Sequence, residues 1–288
     1  MRGQLSIFEA EKESIQKVVN VASVPLRSPF RYPGGKTWLV PTIRKWLKHN
    51  HKKTLIEPFA GGAIVGLTAA FENLADEVVL VELDEQVAAV WEVIINRNAE
   101  WLANKIFTFD LNIENANAVL QKENKTIEEV AFCTILKNRI FHGGILAKGS
   151  GMIKNGENGK GIKSRWYPKT LKDRILAIDH IKQKLVFKQI DGFEILEQNK
   201  LTKDVVFFID PPYVKAGRRL YTHFDIDHEK LFTLIAQLNG KYMLTYDDNE
   251  EIRRLAEKFN LKYKLIPMKT THHIKKYELI ISDSFNWW

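Results

Sequence analysis

One cysteine, Cys133, occurs in 288 residues. No disulfide can close within the chain, and no cysteine-rich zinc site can be built. Cys133 lies in an apolar helical run and reads as inert core. Long hydrophobic runs are missing as well: none approaches the roughly 20 residues of a membrane-spanning helix. Near the N-terminus, Glu9, Glu11 and Glu13 follow Ile7 and Phe8 directly, so the apolar core of a signal peptide is absent. An intracellular chain is expected. Acid is scarce relative to base, with 35 Asp and Glu against 43 Lys and Arg, a net charge of +8. Such an excess favours an acidic partner, and nucleic acid is the common one. What is present is otherwise ordinary for a globular protein, at 45% hydrophobic and 27% charged residues. The length suits one large α/β domain, or one domain with a sizeable insertion.

The most informative stretch is Asp204-Val205-Val206-Phe207-Phe208-Ile209-Asp210-Pro211-Pro212-Tyr213. Its apolar run is continuous rather than alternating, the pattern of a short strand buried on both faces. Neither proline can donate to a sheet ladder, so the strand must stop at Asp210. An acid, two stiffened carbonyls and an aromatic ring are thus delivered at a strand's carboxyl end. In open α/β sheets ligands bind along that edge.

Upstream, residues 1–26 read as an arm with a short helix around Glu9–Val19. Within it Gln4-Leu5-Ser6-Ile7-Phe8 resembles the peptide by which bacterial proteins dock on the replication sliding clamp. The run Arg27 to Thr37 is a rigid loop, with Gly34-Gly35-Lys36, opening a helix over Trp38–His49. It is not a phosphate-binding P-loop. That motif needs a glycine five positions before Gly35, where Phe30 stands, and Pro29 and Pro33 preclude a preceding strand. A loop remains whose bare glycines let a ligand approach the backbone, with Lys36 as a point charge.

Thr54 to Ala63 gives strand, glycine turn (Gly61-Gly62) and the apolar helix Ile64–Phe71, without the dinucleotide spacing. The next strand, Val78–Val81, ends in Glu82. An acid so placed, downstream of a glycine turn, is where a ribose diol is usually gripped. Further helices are expected over Gln86–Arg97 and Thr126–Phe141. Between His142 and Trp166 there are seven glycines, and Lys148, Lys154, Lys160, Lys163 and Arg165 face only Glu157. Such a segment cannot form a core of its own, but lysines and arginines there would neutralise phosphates. Residues 110–185 therefore read as an inserted module, within a catalytic domain spanning 27–109 and 186–288. After the strand Leu185–Ile190, Asp191-Gly192-Phe193 follows. Arg218 and Arg219 add a second basic stretch behind Tyr213. The remainder alternates: helix His228–Leu238, strand Lys241–Tyr246, helix Glu250–Phe259, then strands Lys262–Met268 and Tyr277–Ser282 as an antiparallel hairpin. His272 and His273 in its turn have no neighbouring acid or cysteine at ligand spacing, so no metal site is expected.

Four features converge: a glycine turn, a ribose-type acid, a strand ending in Asp-Pro-Pro-Tyr, and a basic glycine-rich insert. In this order they resemble the N6-adenine DNA methyltransferases of the DNA adenine methylase (Dam-like, D12 class) family, over almost the whole chain after about residue 27. Tyr32-Pro33-Gly34-Gly35-Lys36 is similar to the family's N-terminal cofactor motif, which often has tryptophan where Tyr32 stands. Glu57-Pro58-Phe59-Ala60-Gly61-Gly62 resembles its cofactor glycine loop. Asn138-Arg139 with Gly143-Gly144 resembles its approach to target recognition. Glu82 replaces the more usual aspartate and keeps the carboxylate.

The resemblance implies a Rossmann-like seven-stranded sheet with S-adenosylmethionine as methyl donor, bound by Tyr32, Lys36, Glu57, Phe59, Gly61, Glu82, Asp191, Phe193 and Asp210. Lys36 would hold its carboxylate, Glu82 its ribose, and Asp191 and Phe193 would close on its adenine. It also implies a catalytic set of Asp210, Pro211, Pro212 and Tyr213. DNA contacts would come from Asn138, Arg139, Lys148, Lys154, Lys160, Lys163, Arg165, Arg218 and Arg219. The setting would be the cytoplasm of a prokaryote or phage, with double-stranded DNA as partner, a restriction-modification context and a monomer in solution.

A reason for Asp210 exists apart from the family. Adenine's exocyclic nitrogen is a poor nucleophile because its lone pair is delocalised into the ring. If Asp210 and the Pro211 carbonyl each accept one of its hydrogens, the nitrogen becomes pyramidal and its lone pair turns toward the methyl group; such catalysis is orientation and electrostatics. Tyr213 offers a face for a base rotated out of the duplex. Alternatives are an RNA adenine or protein glutamine methyltransferase, though glutamine enzymes usually carry Asn at the position of Asp210, and a catalytically silent nucleic-acid-binding protein on the same fold.

Overall fold

The computed structural model describes residues 24–32, 34–213, 225–269 and 275–288. The clamp-like peptide Gln4–Phe8, the helix expected at 9–19, Arg218, Arg219 and the His272-His273 pair lie outside the described residues.

Among the described residues seven strands form one sheet: β1 (Thr54–Glu57), β2 (Glu77–Val81), β3 (Leu185–Lys188), β4 (Val205–Ile209), β5 (Lys241–Asp247), β6 (Lys262–Lys269) and β7 (Lys275–Ser282). Their spatial order is β3-β2-β1-β4-β5-β7-β6. Strands β1 to β5 pair in parallel, while β7 runs antiparallel to both β5 and β6. The expected hairpin is present, and its second strand enters the sheet beside β5 while the first forms the edge. The architecture is the expected one, a seven-stranded α/β sheet with helices on both faces.

Both faces of the sheet are covered, which is why β4 has no polar residue. Val206 and Phe208 point into one core cluster, and Val205, Phe207 and Ile209 into the other. Helices α1 (Val40–His49), α2 (Ile64–Phe71) and α3 (Glu85–Asn96) lie on the first side. Helices α8 (Gly192–Asn199), α9 (His228–Ile235) and α10 (Glu250–Lys258) lie on the second. Phe207 is fully buried; truncating such a ring to alanine costs about 3–5 kcal/mol.

Between β3 and its neighbour β2 in the sheet the chain runs through α4 (Ala99–Thr108), α5 (Ile113–Gln121), α6 (Ile127–Ile140) and α7 (Pro168–Asp179). A capping box, Thr126 with Glu129, starts α6. Ala131, Phe132 and Ile135 of α6 and Leu171, Ile175 and Ile178 of α7 join the first core cluster. Much of the segment 110–185 is therefore packed onto the sheet and its covering helices. A third, smaller cluster joins Leu111, Ala116, Leu136, Ile140 and Ile162, and draws part of the glycine-rich stretch inward.

β1 and β4 are adjacent, yet the chain leaves them toward opposite edges of the sheet. This is the topological switch point, and a crevice opens outside the carboxyl ends of these two strands.

Candidate active site

Asp210 stands at the end of β4, on the wall of that crevice. Its Oδ1 accepts a hydrogen bond of 2.7 Å from the Thr245 hydroxyl of β5. Lys36 Nζ lies 2.7 Å from Oδ1 and 2.9 Å from Oδ2. The Lys36 side chain is 2% exposed, a position a lysine tolerates only when paired. Its ammonium also donates to the Gly34 carbonyl at 3.0 Å and to the Tyr213 hydroxyl at 2.8 Å. The Tyr213 hydroxyl in turn donates to Glu278 Oε1 at 2.7 Å. Among the described residues the second oxygen of Glu278 has no hydrogen-bond partner, and it sits 3.8 Å from Lys36 Nζ. Burial raises the pKa of the Glu278 carboxyl, and Lys36 offsets this only in part.

The opposite wall comes from β1 and β2. Glu57, buried at the end of β1, accepts the Gly66 N–H at 2.8 Å. Burial holds its carboxyl well above the usual carboxylate range. Gly66 is required in α2, because a Cβ there would meet Glu57 Oε2 and Leu80 at 2.6 Å. The glycine turn then brings Gly61 to a φ of +47°, under the Tyr32 ring, with its carbonyl accepting the Trp91 indole N–H at 2.8 Å. Gly61 N–H donates to Glu82 Oε2 at 2.9 Å, while Leu83 and Asp84 donate to Oε1 at the same distance. Burial pushes Glu82 up to about 7, against the pull of those three N–H groups.

Asp191 is exposed and caps α8 by accepting from Phe193 N–H at 2.8 Å. Phe193 meets Phe59 edge to face, with centroids 6.3 Å apart. Tyr32, Lys36, Glu57, Phe59, Gly61, Glu82, Asp191, Phe193, Asp210 and Pro212 all line one cavity of about 730 Å³. That size suits a small-molecule cofactor. An S-adenosylmethionine-sized ligand fits the residues present: glycine backbone beside Tyr32, a carboxylate at Glu82, apolar Leu83, Phe59 and Phe193, and charged groups at the Asp210 end.

Asn138 and Arg139 require correction. They were expected to face DNA, and both are buried. Asn138 Oδ1 accepts from Arg31 N–H at 2.8 Å, and its Nδ2 donates to the carbonyls of Arg31 at 3.0 Å and Gly144 at 2.8 Å. Arg139 donates to the Pro29 carbonyl. Burial, together with Arg174 and Arg31, lowers its guanidinium to about 10. These side chains hold the loop that carries Tyr32. An amide in the interior of a helix gives no sign, in sequence alone, of which side it faces.

Lys148, Lys154, Lys160 and Lys163 are exposed on the glycine-rich segment, and half-buried Arg165 pairs with Glu157 at 3.1 Å. Sequence reasoning missed Thr245 and Glu278. Thr245 gives no signal. Glu278 gives one: a lone acid inside the apolar strand Tyr277–Ser282.

The family model for D12 class N6 adenine-specific DNA methyltransferases matches residues 32–272. The chain belongs to this family. It is accordingly a methyltransferase with an adenine-methylating domain. No curated protein matches the sequence. Solved structures resemble it more distantly. A Pyrococcus horikoshii protein described as a candidate RNA methyltransferase has 13% identity and a TM-score of 0.41, with 88% of this chain and 84% of that one covered. The Bacillus subtilis M1A22 tRNA methyltransferase TrmK has 10% identity and a TM-score of 0.37, with coverage of 86% and 66%. A precorrin-6y C5,15-methyltransferase from Geobacter metallireducens has 10% identity and a TM-score of 0.36, with coverage of 84% and 86%.

Proposed function

We propose that the protein methylates the N6 amine of adenine in a specific double-stranded DNA sequence, with the target base rotated out of the helix. The observation that carries the reading is Asp210, fixed by Thr245 and Lys36 at the switch point and facing the cavity that Glu82 and Gly61 line. S-adenosylmethionine, when bound, supplies an electrophilic methyl group. Glu82 would hold its ribose and Tyr32 and Gly61 would flank it; Lys36, whose ammonium hydrogens go to Asp210, Gly34 and Tyr213, would face its carboxylate as a charge rather than as a hydrogen-bond donor; Phe59, Asp191 and Phe193 would enclose its base.

The chain's own part is orientation. Asp210 accepts one amine hydrogen and the Pro211 carbonyl the other, so the nitrogen lone pair turns toward the cavity. Deprotonation need not come first: Asp210 takes the proton once the nitrogen has become cationic. Pro211 and Pro212 stiffen the backbone between the two acceptors and Tyr213. The half-buried Tyr213 ring gives the base a surface to stack on. Lys148, Lys154, Lys160, Lys163 and Arg165, with Arg218 and Arg219, supply positive charge for the phosphates. The Gln4–Phe8 peptide would add docking on a sliding clamp, and loss of clamp capture on Phe8→Ala tests that.

Incubating the protein and S-adenosylmethionine with plasmid DNA, then mapping modified adenines on single molecules, tests the reading. One methylated sequence context is expected. Asp210→Ala should abolish transfer while DNA affinity stays within about a few-fold, as expected for a group acting mainly in the transition state. Substantial activity in that variant would overturn the assignment of Asp210.

A further inference from the structure

We propose that Glu278 is a positioning residue for methyl transfer, the anchor that holds the Tyr213 ring in the orientation the target base needs. The inference rests on the adenine-methylation reading and deepens it.

Glu278 sits inside the sheet, opposite Asp247 of β5 and Ile266 of β6, with Leu279, Ile280 and Ile281 following it. Its side chain is 2% exposed. A carboxyl group in such a place is costly unless a donor meets it. The donor it meets is the Tyr213 hydroxyl, at 2.7 Å. Lys36 does not replace it. Its ammonium lies 2.7 Å from Asp210 but 3.8 Å from Glu278, so the positive charge belongs mainly to Asp210. The arrangement is a chain of four groups: Asp210, Lys36, the Tyr213 hydroxyl and Glu278.

Tyr213 needs such a tether because of where the sequence puts it. It follows two prolines, beyond the end of β4, in neither a strand nor a helix. Its ring is held at one end by the backbone and at the other by a hydroxyl that accepts from Lys36 and donates to Glu278. Two fixed ends leave the ring one axis of rotation. Without the acceptor at Glu278 the hydroxyl can swing off Lys36, and the ring plane is no longer set relative to Asp210. Small losses of alignment between a bound group and its catalytic partner are expensive in rate. Glu278 touches neither the base nor the cofactor in this scheme; it acts through Tyr213.

A double-mutant cycle tests this, because two residues acting through one contact are not additive. Tyr213→Phe, Glu278→Ala, the double variant and Glu278→Gln are compared for kcat on plasmid DNA, for S-adenosylmethionine affinity by calorimetry and for unfolding in urea. Each single variant should lower kcat about tenfold and leave cofactor affinity within about threefold, with the double variant no slower than the slower single one. Glu278→Gln keeps an oxygen for the hydroxyl and should recover most of kcat. Losses that multiply in the double variant, or a Gln variant as slow as Ala, overturn the proposal. If the wild-type protein methylates no adenine in any DNA, the adenine reading falls. The tether is then read from unfolding alone, where additive losses overturn it and non-additive ones support it.

Discussion

The Asn138 side-chain amide grips the backbone of Arg31 from both sides, accepting from its N–H at 2.8 Å and donating to its carbonyl at 3.0 Å. One buried side chain on α6 thereby fixes the loop that places Tyr32 and Lys36. Asn138→Ala would strand these backbone groups and the Gly144 carbonyl. An unsatisfied buried group costs about 1–3 kcal/mol. A stability loss of that order is expected in urea unfolding, with weaker S-adenosylmethionine binding beside it. Asn138→Asp should be no better, since a carboxylate cannot donate to either carbonyl. Normal cofactor affinity in both variants would show that the loop is held by other contacts.

Gly61→Ala should damage the cofactor cleft specifically. A Cβ at Gly61 would lie 2.6 Å from the Tyr32 ring, at a φ of +47°. Left-handed backbone costs a non-glycine residue about 1–2 kcal/mol before any clash is counted. Calorimetric titration should report S-adenosylmethionine binding weakened by at least about tenfold, the equivalent of 1.4 kcal/mol.

Cofactor affinity should depend on pH near neutrality through Glu82. Burial raises this carboxyl to about 7 in the free protein. A ribose diol donates to the ionised form, so binding lowers the pKa and releases a proton. Affinity should therefore rise with pH through about 7 and level off above it. Binding heats measured in buffers of different ionisation enthalpy would reveal the released proton at pH 7. Glu82→Gln should bind more weakly and without the pH dependence. Buffer-independent heats in the wild type would contradict the ribose role.

Replacing Lys148, Lys154, Lys160 and Lys163 by alanine should weaken DNA binding without redirecting it. Each phosphate that is no longer neutralised reduces the slope of log affinity against log salt by about 0.9. The fourfold variant should flatten that slope by up to about 3–4, and modified adenines should appear in the same sequence context. An unchanged slope would take this segment out of the DNA interface.

The sheet edge was legible because its signals are local. Two prolines stop β4, glycines bend the chain after β1, and Glu82 ends β2. Each of these acts through its own backbone, so position along the sequence is enough to read it. Relationships across the chain were not legible. Lys36 and Asp210 are 174 residues apart, and nothing in either segment names the other. Asn138 reads as a surface contact in the sequence because an amide in a helix suits water and a buried backbone equally well. The helices α4 and α5, before the basic segment, carry no chemistry to draw attention to them. Glu278 is visible as an acid among apolar residues, but its meaning depends on Tyr213 and Lys36 reaching it from two other parts of the fold.

The position of β7 has a consequence for how the protein is made. The nascent chain is synthesised from the N-terminus, so β7 is made after the other six strands. β1, β2 and β4 can assemble while β7 has yet to be made, and they already bring Lys36, Glu82 and Asp210 together. The Tyr213 hydroxyl meets its acceptor on the sheet only when β7 slides in between β5 and β6, which makes the hairpin the closing stone of the pocket rather than its margin. A chain arrested before that step would have the wall at Glu82 and Asp210 complete, and its Tyr213 hydroxyl short of one mooring.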